Sequence, residues 1–178
     1  VGDRNSGLAS GSVNSTTDPT VYTVDTQMAI ASASKWIYGA YVAQLRAGSL
    51  TDEDIRFLNF RSGYTSFSRC LPAQTVDECV AYQNNGEYHP VADGLFSYGG
   101  GHMEKHASLN GLGPLDNASL ASEIRAKIGT DVVLGYAQPQ IAGGIFTTAG
   151  NYARFLRKLL GGELMLGSLL GTHAVCTN

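Results

Sequence analysis

The stretch that decides the fold is Thr26-Gln-Met-Ala-Ile-Ala-Ser32-Ala-Ser-Lys35-Trp36. After it, apolar residues recur at Trp36, Ile37, Ala40, Tyr41, Ala43 and Leu45. That spacing predicts a helix over Ser32–Arg46 with a broad buried face, closed by Gly48. Ser32 then sits in the first turn, near the positive end of the helix dipole. Lys35, three residues on, shares its face and can reach the Ser32 hydroxyl. A serine hydroxyl is a weak nucleophile until a neighbouring base takes its proton. Lysine can do this only where burial or other cations favour its neutral form. Ile30, Ala31, Trp36 and Ile37 flank the pair and favour burial. Taken alone, the pair reads equally well as an N-cap serine beside a snorkelling lysine.

Working outward, residues 1–24 form a polar N-terminal segment, with Asp18-Pro19 as a turn signal. Val21–Val24 is a short extended run before the nucleophile segment. Residues 25–178 read as one helix-rich domain with few strands. Thr51-Asp-Glu-Asp54 opens a short helix, with Thr51 as cap and acids at the positive end of the dipole. Asp77–Gln83 holds one or two helical turns. Helices are expected over His102–Leu112, over Asp116–Ile128, and over Ala149–Leu160, the last capped by Thr147 or Thr148 and ended by Gly161-Gly162. The glycines of Tyr98-Gly-Gly-Gly-His102 are expected outside regular structure. No lysine follows them as a phosphate-binding loop requires, and no strand–helix unit surrounds them as a dinucleotide site requires.

The chain has 178 residues and a net charge of −3. Its basic residues are not clustered beyond the helical face of Arg154, Arg157 and Lys158, so no nucleic-acid partner is expected. No apolar stretch is long enough to span a membrane. The polar start at Val1 has the look of a mature N-terminus, and secretion or a periplasmic location is expected. Cys70 and Cys79 bracket a short loop and suit a disulfide, which would stabilise by about 2–3 kcal/mol; the alternative is two reduced, buried thiols. Cys176 is then left over. Asn14-Ser-Thr and Asn117-Ala-Ser are glycosylation sequons. His102 and His106 lie at ligand spacing on a helix, but Glu104 is at the wrong offset for the H-E-x-x-H signature, and neither a metal nor an organic cofactor is expected.

The Ser32–Lys35 segment resembles the nucleophile segment of the serine β-lactamase and penicillin-binding protein superfamily, whose acylation site is S-x-x-K. The class C β-lactamases and their esterase relatives are the nearest branch. Asp54-Ile-Arg-Phe-Leu-Asn-Phe-Arg-Ser-Gly-Tyr64 is similar to that family's run of paired apolar residues into a Ser-Gly turn. Ala142-Gly-Gly-Ile-Phe-Thr-Thr-Ala-Gly-Asn-Tyr152 and the residues on to Gly162 resemble its glycine turn and following helix. The resemblance implies an α/β (α+β) serine β-lactamase-like fold and a serine hydrolase acting through an acyl-enzyme on an ester, amide or β-lactam. It makes Ser32 the nucleophile and Lys35 with Tyr98 the proton-transfer pair, Tyr98 standing for the tyrosine of a Y-x-N motif. Gly100 replaces the motif's asparagine, so a substrate-binding amide is missing there, and His102 is the candidate to line the site in its stead. That departure keeps a non-catalytic binding or sensing protein open as an alternative.

The resemblance also implies parts this chain lacks. Family members carry a strand hairpin before the nucleophile and a third motif on a far strand, and Gly171-Thr-His-Ala-Val does not fit that motif. The chain is therefore expected to hold mainly the helical portion. Most of the antiparallel sheet would come from a second polypeptide or a missing segment.

Overall fold

Helix α1, Ser34–Leu45, forms the axis of the molecule because its sequence is apolar all round: Ile37 to Ala43 are buried without interruption. The computed structural model describes residues 1–11, 13 and 16–177. The Asn14 sequon lies outside the described residues. A single 3-10 turn, Ala31–Ala33, leads into α1, so Ser32 sits just ahead of the regular helix.

Shorter helices surround this axis. Helix α2, Asp52–Leu58, and helix α3, Val76–Val80, each begin with a capping box, from Thr51 and Thr75. Helix α4, Gly101–Ala107, runs into a wide turn over Ser108–Leu112, interrupted where Gly111 takes φ +86°. Helix α5, Asn117–Ile128, is capped by Asp116 and lays Leu120, Ile124 and Ile128 on α1. Helix α6, Ala149–Leu160, is capped by Thr148 and buries Phe155 and Leu159. Helix α7 is the short Leu166–Leu169.

A small antiparallel sheet closes one side. Strand β1 is Gln27–Ala29, β2 is Leu134–Tyr136 and β3 is Ile145–Thr148. Their order is β1-β3-β2, with Ala29 and Gly135 both opposite Phe146. Helices with a small three-stranded sheet match the expected helical portion of an α+β fold.

Several expectations need correction. Val21–Val24 is not a strand, and its apolar side chains are exposed. The strand lies three residues later, where all three side chains are exposed and leave no alternating pattern to read. Gly101 does belong to regular structure, as the first residue of α4. The helix expected over His102–Leu112 loses its regularity after Ala107. The Asn117 side-chain amide, offered as a glycosylation acceptor, donates to the Pro72 and Ala137 carbonyls at 2.9 and 3.1 Å. The Cys70–Cys79 disulfide is formed, with 4.9 Å between Cα atoms.

Asp54 knots three helices together beneath the surface. It is fully buried and accepts from Arg46 Nε at 2.8 Å, Arg46 Nη2 at 3.0 Å, and the Thr51 N–H and hydroxyl, each at 2.8 Å. His106 Nε2 donates to it at 3.0 Å, while His106 Nδ1 accepts from the Tyr38 hydroxyl at 2.8 Å. Burial alone would raise the Asp54 carboxyl. The Arg46 and Thr51 hydrogen bonds and the Arg46 charge override it and hold the group far below the usual carboxylate range. Burial lowers His106 below its ordinary value despite the neighbouring Asp54 charge.

Both shifts are depressions on folding. Each contributes stability that is present above the unfolded value and is lost as pH falls. Replacing Asp54 by Ala strands a cation and several buried donors, and the expected loss is about 3–5 kcal/mol in urea unfolding. In the intact protein, midpoints should fall steeply as pH drops below about 4, where the Asp54 carboxylate is lost. A pH-independent midpoint between pH 7 and pH 3 would contradict this account.

Candidate active site

The site is built at the corner where the sheet hands over to α1. The Ile30 N–H donates to the Ile145 carbonyl at 3.0 Å, fixing the chain against β3 just before Ser32. The Ile145 N–H donates to the buried Ser34 hydroxyl at 3.4 Å. Between these anchors Ala31 is held at φ +43°, a left-handed conformation costing a non-glycine residue about 1 kcal/mol or more. The corner leaves Ser32 exposed at the start of the helix. The expected burial is thus incomplete: Trp36 is 47% exposed, and Lys35 is half-buried.

Lys35 Nζ donates to Ser32 Oγ at 3.0 Å and to the Ala142 carbonyl at 2.9 Å. It also lies 4.9 Å from the centre of the Tyr98 ring. The hydrogen bond with Ser32 lowers the Tyr98 phenol below its ordinary value; partial burial opposes this, and the Lys35 charge adds to the lowering. Tyr98, more than sixty residues along the chain, is thus brought beside the Ser32–Lys35 pair.

Tyr98 is steadied from behind. Its ring packs at 4.9 Å on Phe60, a second non-glycine residue in the left-handed region, at φ +58°. Phe60 in turn meets His102 edge-on at 5.8 Å. His102 is fully buried and lines no open surface. Its Nε2 donates to the Ser97 carbonyl at 2.9 Å, and its Nδ1 accepts from the Ser62 hydroxyl at 2.7 Å. Both nitrogens are occupied, and burial lowers the ring below its ordinary value. The structure thus puts His102 behind the Tyr98 loop, where it cannot replace the missing amide. Gly100 has its own reason: a Cβ there would lie 2.9 Å from Phe67 Cγ. The close ring leaves no room for an asparagine.

Sequence reasoning missed Glu104. This carboxyl is fully buried, and burial raises it to about 8. Its Oε1 accepts the Ala142 N–H at 3.0 Å, from the same residue whose carbonyl holds Lys35. Its Oε2 has no hydrogen-bond partner. A lone acid in H-M-E-K-H carries no sequence signal for this, because such charges are ordinarily on a solvated helix face. Ala142 acts through its backbone and leaves no signal in residue type. Glu104 also lies within 4.8 Å of the sulfurs of Cys70 and Cys79, the one metal-compatible grouping among the described residues. Those sulfurs are joined in the disulfide and offer no thiolate. His102 and His106 bond to separate partners, as described above.

No protein-family model and no curated protein matches the chain. Among solved structures it is similar to a crystal structure described as a "putative beta-lactamase" from Bacteroides dorei DSM 17855, with 20% identity and a TM-score of 0.61. The similarity covers 78% of this chain and 51% of the other, so the chain spans about half the length of that neighbour. At this identity the likeness concerns the backbone arrangement, and it identifies the chain as carrying a large part of a β-lactamase-like fold.

Proposed function

We propose that this chain carries the acylation site of a serine hydrolase, with Ser32 as nucleophile and Lys35 and Tyr98 as its proton-transfer pair. The observation that carries the reading is the meeting of three groups: Lys35 Nζ lies 3.0 Å from Ser32 Oγ and 4.9 Å from the centre of the Tyr98 ring, and all three residues line one cavity. Ser32 Oγ attacks the substrate carbonyl as its proton passes to the phenolate of Tyr98. The tetrahedral intermediate collapses, the leaving group takes that proton, and the acyl group remains on Ser32. Water, activated by the same pair, then hydrolyses the acyl-enzyme. Side chains alone can run this sequence, on an ester, an amide or a β-lactam.

The resemblance noted in the sequence supports the class C and esterase-like branch. The Cys70–Cys79 disulfide supports export to an oxidising compartment, secreted or periplasmic. The remaining strands of the domain would come from a second polypeptide or another segment, since the chain spans about half of the similar structure. Gly100 favours one competing reading, a binding or sensing protein that is acylated without turnover. A chromogenic ester separates the two: sustained release supports the hydrolase, and a single stoichiometric burst supports the sensor.

Replacing Ser32 by Ala should abolish labelling by a serine-directed acylating probe, read by intact mass; labelling that persists would sink the assignment. Acylation should rise with pH as Tyr98 loses its proton, with a midpoint below the ordinary phenol value of about 10. Replacing Tyr98 by Phe should slow acylation by about 10²–10⁴-fold and erase that rise. An unchanged pH profile in the Phe variant would remove Tyr98 from the mechanism.

A further inference from the structure

The proposed proton-transfer set opens onto a cavity of about 380 Å³ whose walls are mostly apolar. Leu50, Ile55 and Leu58 come from α2 and the chain leading into it, Met103 from α4, and Leu166 and Leu169 from α7. The chain after α7 forms a further wall, pinned where Asn59 Nδ2 donates to the His173 carbonyl at 2.7 Å. Ser32, Lys35 and Tyr98 line the same space.

Gly39 supplies an independent observation. It lies one turn beyond Lys35 in α1 and also lines the cavity. Glycine inside a helix is destabilising relative to alanine. Nothing nearby requires it here: an added Cβ would first meet Leu166 Cδ2 at 3.7 Å, an ordinary contact, and no positive φ is involved. Its missing side chain leaves space beneath Lys35.

The charge of the lining limits what can enter. Among the described lining residues no arginine is present, and Lys35 is the only lysine. Lys35 is already committed to Ser32 and Ala142. His173 is the one other lining residue that can carry positive charge, and a substrate carboxylate, such as a β-lactam carries, would meet no free lysine or arginine here. An uncharged chain loses nothing on entry, and each buried methylene strengthens binding about fourfold.

We propose that this cavity is an acyl pocket and that the substrate class is a neutral ester of a medium-length, unbranched fatty acid. The proposal rests on the reading of Ser32 as nucleophile. Ser32 Oγ bonds the acyl carbon, the alcohol departs with the proton relayed by Tyr98, and the chain stays in the cavity until water releases the fatty acid.

The test uses p-nitrophenyl esters of acetate, butyrate, octanoate and dodecanoate with the full chain. Acylation is followed by the p-nitrophenol burst and by the intact mass of the acyl-enzyme. Acylation efficiency should rise about fourfold per methylene until the cavity is filled, with octanoate far ahead of acetate. In Gly39→Leu the octanoate-to-acetate ratio should fall at least tenfold, and in Gly39→Ala it should fall less. A chain-length profile that is flat, with acylation still lost in Ser32→Ala, overturns the pocket and leaves the nucleophile standing. Faster acylation by a chromogenic cephalosporin than by octanoate also overturns the pocket. Acylation that survives Ser32→Ala, or neither p-nitrophenol release nor an acyl mass shift with any of the esters or the cephalosporin, overturns both readings.

Discussion

A helix buried along its length must still open its first turn to a substrate, and the rest of the structure answers to that constraint. From Ile37 to Ala43, α1 is enclosed by α5, the sheet and the helices around it. If the regular helix began at Ser32, its first hydroxyl would enter the same packed environment. The chain instead turns through Ala31 at φ +43°, anchored on both sides to Ile145 of β3. The strain is held because those anchors and the buried helix over-determine the corner. Ser32 is exposed five residues from the buried Ile37-to-Ala43 run because the intervening turn is of a different kind.

Two buried acids then support the site with opposite protonation states. Asp54 collects Arg46, His106 and the Thr51 N–H and hydroxyl, and so many donors keep it ionised despite burial. Glu104 has the Ala142 N–H on one oxygen and no partner on the other, and burial carries it to about 8. The number of donors, rather than depth, sets the charge. A neutral Glu104 suits its position behind Lys35. It can grip the Ala142 peptide, whose carbonyl holds the ammonium, without placing a full negative charge against that ammonium. The linkage has a sign opposite to that of Asp54. A carboxyl raised on folding adds stability below its unfolded value near 4.5, and that stability is lost as pH climbs through about 8.

The helices were legible because their signals are local. Thr51 announces its cap in sequence, the cap of α6 is narrowed to Thr147 or Thr148, and α6 alternates buried and exposed residues at helical spacing. The strands were not. β1 exposes all three of its side chains, and β2 and β3, which do alternate buried and part-buried residues, span only three and four residues, too few for the period to be read. Within the site, Lys35 was legible because one helical turn fixes its distance from Ser32. Tyr98 came only through the family resemblance, because nothing local ties residue 98 to residue 32. His102 misled because its chemistry is visible in sequence and its burial is not. Glu104 and the Ala142 backbone were invisible for the converse reason, since their roles arise only when α4 meets the turn before β3.

The division of labour within such a fold follows from where these groups lie. The proposed nucleophile, the proposed proton-transfer pair and the apolar cavity all belong to the helical portion and its junction with β3. An acyl transfer also needs donors aimed at the oxygen that becomes negative in the transition state. The Ser32 N–H, in the turn that leads into α1, is the candidate for one of them. A second donor has to face it from across the carbonyl, on the side where a strand would flank the cleft. Strand edges supply such N–H groups because their outward backbone is unpaired. The proposed enzyme would then need its sheet for the transition state more than for the substrate. Binding of an acyl chain and first contact with Ser32 are within reach of the helical portion, whereas rapid turnover depends on the strand that completes the oxyanion site.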